Sequence, residues 1–206
     1  MRNRLSHAAA PLHQCEAHAL AAALPTDAPA SAVMALTTVA NGGLLWLGIT
    51  AALATRPGHT RCAARDGAVA IALASASSHL IGRVVPRRRP AADHLPAYQA
   101  LIPKPTSSSF PSSHTTTAAA FTTATACESP TTGLMVAPLT VTVAYSRLRT
   151  RAHWPSDVVA GALWGITVGV TTRRLLRAPA TTNAIQLTRF IARLVLHWHC
   201  GVAMQY

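Results

Sequence analysis

Five stretches of apolar and small residues alternate along the chain with short basic segments, and each stretch reads as a helix. Ala32 to Thr55 carries no charge and has the length needed to cross a hydrocarbon core. Arg56, Pro57 and Gly58 end it, and after Arg61, Arg65 and Asp66 a second run extends from Gly67 to about Pro86, broken only by His79 and Arg83. Arg87 to Pro111, with five prolines, is the longest loop. Ser112 to Cys127 and Leu134 to Tyr145 are weaker spans, rich in Ala and Thr, the latter with Pro138 inside. Their threonines can bond to preceding carbonyls of their own helix, which makes such helices tolerable in a bundle. In the fifth run, Pro155 to Thr172, Gly161, Gly165 and Gly169 form a small-residue stripe that admits a neighbouring backbone.

The flanking segments differ in kind. Leu5 to Leu24 is interrupted by His7, His13, Gln14, Glu16 and His18; it lacks the layout of a signal peptide and reads as an interfacial helix. Asn183 to Met204 mixes apolar positions with Arg189 and Arg193, the pattern of an amphipathic surface helix. The expected fold is therefore all-α: an integral-membrane bundle of about five spanning helices over residues 32–177, between an N-terminal interfacial segment, 1–31, and an amphipathic C-terminal tail, 178–206.

Composition narrows the partners. The formal charge of +12 requires an anion, and Lys104 is the one lysine among 18 basic residues. Most arginines stand in loops between apolar runs, with no aromatic-rich basic groove, which argues against nucleic acid and for a phospholipid bilayer and a phosphorylated substrate. The cysteines Cys15, Cys62, Cys127 and Cys200 are too dispersed for a zinc site or a disulfide framework, and His197, His199 and Cys200 lack further spaced ligands, so neither metal nor cofactor is expected.

Polar residues gather at the ends of the runs in three clusters: Arg83 with Arg87, Arg88, Arg89 and Pro90; Pro111, Ser112, Ser113 and His114; and Ser146, Arg147, His153 and Asp157. If runs two to five span in alternation, all three meet on one membrane face. Removing a phosphate without a metal requires a nucleophile, donors for the phosphate oxygens and an acid for the leaving group. Arg89 and Arg147 suit the second task, since a guanidinium fork grips two oxygens and stays charged; Arg83 could assist. Pro111 and Pro155 stand where helices would begin, so the amides of Ser112 and Ser113 are expected to face an anion. Asp157, four residues after His153, could hold one ring nitrogen and leave the other to attack phosphorus. His114 can protonate the leaving group and then activate water. His79 and His94 are read as ordinary bundle and loop residues.

These clusters resemble the type 2 phosphatidic acid phosphatase superfamily over Ala32 to Leu176. Ser146, Arg147, His153 and Asp157 meet its third motif in full, and Pro111, Ser112, Ser113 and His114 meet its second with serine in place of glycine. Arg89 and Pro90 match the end of the first, whose lysine position holds Gly82, with Arg83 one residue nearer. The resemblance implies a cell-membrane, multi-pass lipid phosphatase that uses a phosphohistidine intermediate and faces away from the cytoplasm. Among substrates it favours polyprenyl phosphates or diphosphates, with phosphatidate and phosphatidylglycerol phosphate as alternatives. Gly82 leaves room for a catalytically impaired lipid-phosphate binder, and the uncharged run at Ala32 to Thr55 argues against a soluble member. Once Arg89 and Arg147 are set aside, the loops opposite the clusters are slightly richer in arginine, which agrees with that orientation.

Overall fold

The computed structural model describes residues 14–20, 44–91 and 106–178. The first part of the Ala32 to Thr55 run, His94, Lys104 and nearly all of the C-terminal tail lie outside them. After a short helical segment at 14–20 come five helices: α1, Leu44–Ala54; α2, His59–Val84; α3, Ser113–Glu128; α4, Pro130–Arg149; and α5, Pro155–Arg177. No strand occurs among the described residues, so the expected all-α class holds.

Two helices are longer than the hydrophobic pattern implies. α2 begins at His59 rather than Gly67, because Asp66 turns inward: its carboxylate accepts from Arg65 at 2.8 Å and lies 3.6 Å from Arg173 of α5. α4 runs from Pro130, at its first turn, to Arg149 and absorbs Pro138.

α3 is the central element and packs against α2, α4 and α5. On one side Phe121 meets the Trp46 ring at a centroid distance of 5.2 Å, with Val136 and Val143 beside them. On the other, Ala70 and Ala74 of α2 and Ala120 and Ala124 of α3 pack with Val168 of α5. The glycine stripe of α5 faces α3 so closely that a Cβ at Gly161, Gly165 or Gly169 would lie 2.8, 2.3 or 2.7 Å from the carbonyl oxygens of Ser112, Thr116 and Ala120. Backbone therefore rests on backbone.

Small residues fill this interior while large ones face out: Leu134, Met135, Val141 and Leu163 are each more than 60% exposed. In water that arrangement would squander the hydrophobic effect, and in lipid it costs nothing. Among the described residues α2 is the helix long and apolar enough to cross a membrane by length and composition.

The bundle has two polar ends. At one, the buried carboxylates of Asp66 and Glu128 gather His59, Arg173 and Arg177 into an ionic network in which Glu128 bonds to His59 at 2.8 Å, accepts from Arg177 and forms an ion pair with Arg173 at 2.5 Å. At the other, the C-terminal ends of α2 and α4 meet the N-terminal ends of α3 and α5.

Candidate active site

All three sequence clusters arrive at that second end. Beyond α2 the chain runs antiparallel to residues 106–110: the Ser109 amide donates to the Arg87 carbonyl at 2.9 Å, and the Arg87 amide donates to Ser108 Oγ at 3.1 Å. α4 ends in a turn with Arg151 at φ 50°, a left-handed conformation that costs a non-glycine residue about 1 kcal/mol. The turn brings the amides of Ala152 and His153 back to the Arg147 carbonyl, at 3.1 and 3.3 Å, and so presents the His153 ring to the 106–110 segment.

That ring is 3% exposed. Its Nδ1 lies 2.6 Å from the Ser109 carbonyl oxygen. A carbonyl only accepts, so Nδ1 carries the proton and Nε2 keeps its lone pair. Nε2 in turn receives Arg89 Nη1 at 3.3 Å. Burial, first, and the Arg89 charge, second, push the imidazole pKa down to about 3 against the pull of the Ser109 carbonyl. The ring is neutral and nucleophilic at any ordinary pH.

Asp157 is placed differently from the expectation. Its Oδ2 is 3.9 Å from His153 Nδ1, beyond hydrogen-bond range, and accepts instead from the Trp154 amide at 2.9 Å. Its Oδ1 accepts from Arg87 Nη1 at 2.5 Å. The carboxylate thus fixes the backbone next to His153, while a carbonyl sets the tautomer. His153 precedes the helix start at Pro155, so helical i,i+4 geometry does not apply to the pair.

Arg89 links both sides of the site: it donates to the carbonyls of Ala152 at 2.6 Å and Ser108 at 3.2 Å and to Ser107 Oγ at 3.2 Å. It also lines a cavity of about 530 Å³ shared with Gly82, Arg87, Arg88 and Ser107. Arg147 is fully buried, with Nε donating to Ser146 Oγ at 3.2 Å. His114, in the first turn of α3, interacts electrostatically with His153, Arg89, Arg147 and His79.

Other expected donors are placed less directly. The Ser112 amide already donates to the Asp157 carbonyl at 3.1 Å, and its hydroxyl pairs with Thr115 at 3.0 Å, so Ser112 ties α3 to α5 instead of facing an anion. Ser113 opens α3, where amides lack intrahelical acceptors. Arg83 is exposed on α2, outside the cavity wall, and makes no hydrogen bond or ion pair among the described residues.

Three participants have roles that the sequence does not assign. Ser109 contributes a backbone atom, invisible to any motif. Arg87 stands in the first cluster with no role of its own, and the structure makes it the clamp on Asp157, lying 5.7 Å over the Trp154 ring. Glu16, from the 14–20 segment, accepts from Arg87 Nη2 at 2.6 Å and was seen only as an interruption of apolar character.

The profile of the PAP2 superfamily matches residues 64–179, more than half of the chain, and the chain belongs to that superfamily. It is 41% identical over 99 residues to a decaprenylphosphoryl-5-phosphoribose phosphatase of Mycobacterium tuberculosis, in both strain CDC 1551 / Oshkosh and strain H37Rv. That match covers 47% of this chain and 52% of the relative, so the chain spans about half the length of the curated relatives it matches. Among solved structures, a transmembrane PAP2-type phosphatidylglycerolphosphate phosphatase from Bacillus subtilis is 22% identical, with 75% of this chain and 89% of that one covered and a TM-score of 0.40.

Proposed function

We propose that the chain is a multi-pass membrane phosphatase that removes a terminal phosphate from a lipid through a phosphohistidine at His153, without need of a metal ion. The observation that carries this is the neutral ring of His153, whose Nδ1–H donates to the Ser109 carbonyl and whose Nε2 stands against the Arg89 guanidinium that lines the cavity.

A phosphate that reaches Arg89 draws its guanidinium from Nε2 onto the phosphate oxygens, because a dianion is the stronger acceptor. That uncovers the lone pair. Nε2 attacks phosphorus and the P–O bond to the lipid breaks. His114, which burial and the Arg147 and Arg89 charges hold neutral until the phosphate anion binds beside it and it takes up a proton, gives that proton to the departing oxygen. Arg147 and the Ser113 amide share the charge on the transferring group. Water then gives a proton to His114 and attacks the P–N bond, which releases inorganic phosphate and restores Nε2.

For the substrate, the likeness to the decaprenylphosphoryl-5-phosphoribose phosphatase supports a polyprenyl-linked phosphate ester over phosphatidate or phosphatidylglycerol phosphate. The arginine count supports a site facing away from the cytoplasm. Gly82 favours a second reading, a lipid-phosphate binder with impaired turnover, since this position on the cavity wall carries no cation. A side chain there would meet the Phe110 carbonyl oxygen at 3.2 Å, so Gly82→Lys must displace the 106–110 segment slightly to place a charge. A gain of turnover in that variant would support the binder.

The test is phosphate release, with EDTA present, from polyprenyl phosphate, polyprenyl diphosphate, a polyprenylphosphoryl phosphopentose, phosphatidate and phosphatidylglycerol phosphate. At least one prenyl substrate should be cleaved and vanadate should inhibit. His153→Ala should abolish release; a purified His153→Ala protein that still turns over the same lipid would end the proposal.

A further inference from the structure

The 14–20 segment lies outside the region matched by the superfamily, yet it touches the site at two points. Glu16 is 7% exposed and Leu20 is 2% exposed. The Leu20 carbonyl accepts from Arg151 Nη2 at 3.3 Å, next to the turn that presents His153. Glu16 does more. Its Oε1 accepts from the Ser156 amide at 2.9 Å, capping α5 at the turn that bears Asp157, and its Oε2 accepts from Arg87 Nη2 at 2.6 Å. Arg87 uses its other nitrogen for Asp157 Oδ1, at 2.5 Å, and Ser156 Oγ, at 2.6 Å. Burial pushes the Glu16 carboxyl up, but the bonds from Ser156 and Arg87 outweigh it and hold the group below its ordinary value, hence ionised.

We infer that Glu16 is a positioning residue of the catalytic centre: the Glu16–Arg87–Asp157 chain fixes the base of α5 and carries one more carboxylate charge than its guanidinium neutralises, on the Nδ1 side of the His153 ring. The charge follows from counting one guanidinium against two carboxylates. With Asp157 alone, Arg87 would leave the pair with no net charge. With Glu16 sharing Arg87, one negative charge remains near a ring that becomes cationic when Nε2 bonds to phosphorus while Nδ1 keeps its proton. Such a charge favours the covalent intermediate and the transition state leading to it more than the neutral ring of the resting state. Its effect therefore belongs in kcat rather than in substrate binding.

The inference rests on His153 being the nucleophile, so the full-length chain is assayed as Glu16→Gln, Glu16→Asp and Glu16→Ala beside His153→Ala. Each variant is purified in detergent, and kcat, KM and melting temperature are measured on the lipid of the panel that the wild type cleaves fastest. Glu16→Gln keeps the shape and the acceptor for Ser156 but not the charge, and kcat should fall about tenfold with KM within about twofold of wild type. The Glu16→Gln amide nitrogen would face Arg87 Nη2, a donor, so some loss of melting temperature is expected and kcat is referred to the folded fraction. Glu16→Asp should recover part of the rate, and Glu16→Ala should lose both rate and stability. An active Glu16→Gln beside a dead His153→Ala overturns the inference alone, as does a Gln variant whose lost rate tracks lost folded protein. Turnover in His153→Ala overturns the nucleophile and the inference together.

Discussion

Nδ1 of His153 donates to a main-chain carbonyl rather than to the carboxylate four residues on. His153 could be picked out as the candidate nucleophile because histidine, arginine and aspartate keep a recognisable spacing. Its orienting partner was not, since any residue at position 109 supplies the same oxygen. The roles of Arg87 and Glu16 were hidden for another reason: the 71 residues that separate them leave no local pattern. Burial of His153 has a consequence for stability. Its folded pKa of about 3 is below the unfolded value of 6.5, so between those values the unfolded chain binds a proton that the native ring refuses. The native state therefore loses stability as pH falls through this window, by about 2 kcal/mol at pH 5 from this group. Melting curves in detergent should show the loss, with a shallower acid dependence in His153→Gln. An identical slope in the two proteins would contradict the assignment.

Among elements, the existence of each helix could be read from apolar runs, but the boundaries could not. Asp66, Arg65 and Arg61 look like a loop in one dimension, while in the bundle they form the opening turns of α2 because Asp66 finds its partners across it on α5. Threonine-rich α3 looked weak, yet it became the centre: Thr116 and Thr125 donate to the Ser112 and Phe121 carbonyls at 2.9 Å and so hide their polarity within the helix. The glycine stripe was read correctly as a packing surface. It makes Gly165→Ala the sharpest test of α3–α5 contact, since the new methyl would sit 2.3 Å from the Thr116 carbonyl oxygen and the helices must part. The expected cost is about 2 kcal/mol, read as a lowered melting temperature. Gly48→Ala, with nothing within 4 Å, serves as the neutral control.

Across the whole molecule, the two polar ends do different work. The end opposite His153 holds Glu128 and Asp66 with side chains fully buried among Arg173, Arg177, Arg65 and His59. It joins α2, α3 and α5 through charge. Glu128→Ala should remove the carboxylate shared by Arg173, Arg177 and His59 and lower the melting temperature. The folded fraction should keep the wild-type kcat, as shown by turnover normalised to folded protein. A kcat loss in that fraction would mean that the two ends are coupled. The contact between α3 and α5 bears on how the bundle could open. That pair meets main chain to main chain along Gly161, Gly165 and Gly169 and has few side chains to slide past one another. If the proposed lipid substrate enters from the side, α2 or α4 should swing away while α3 and α5 stay together.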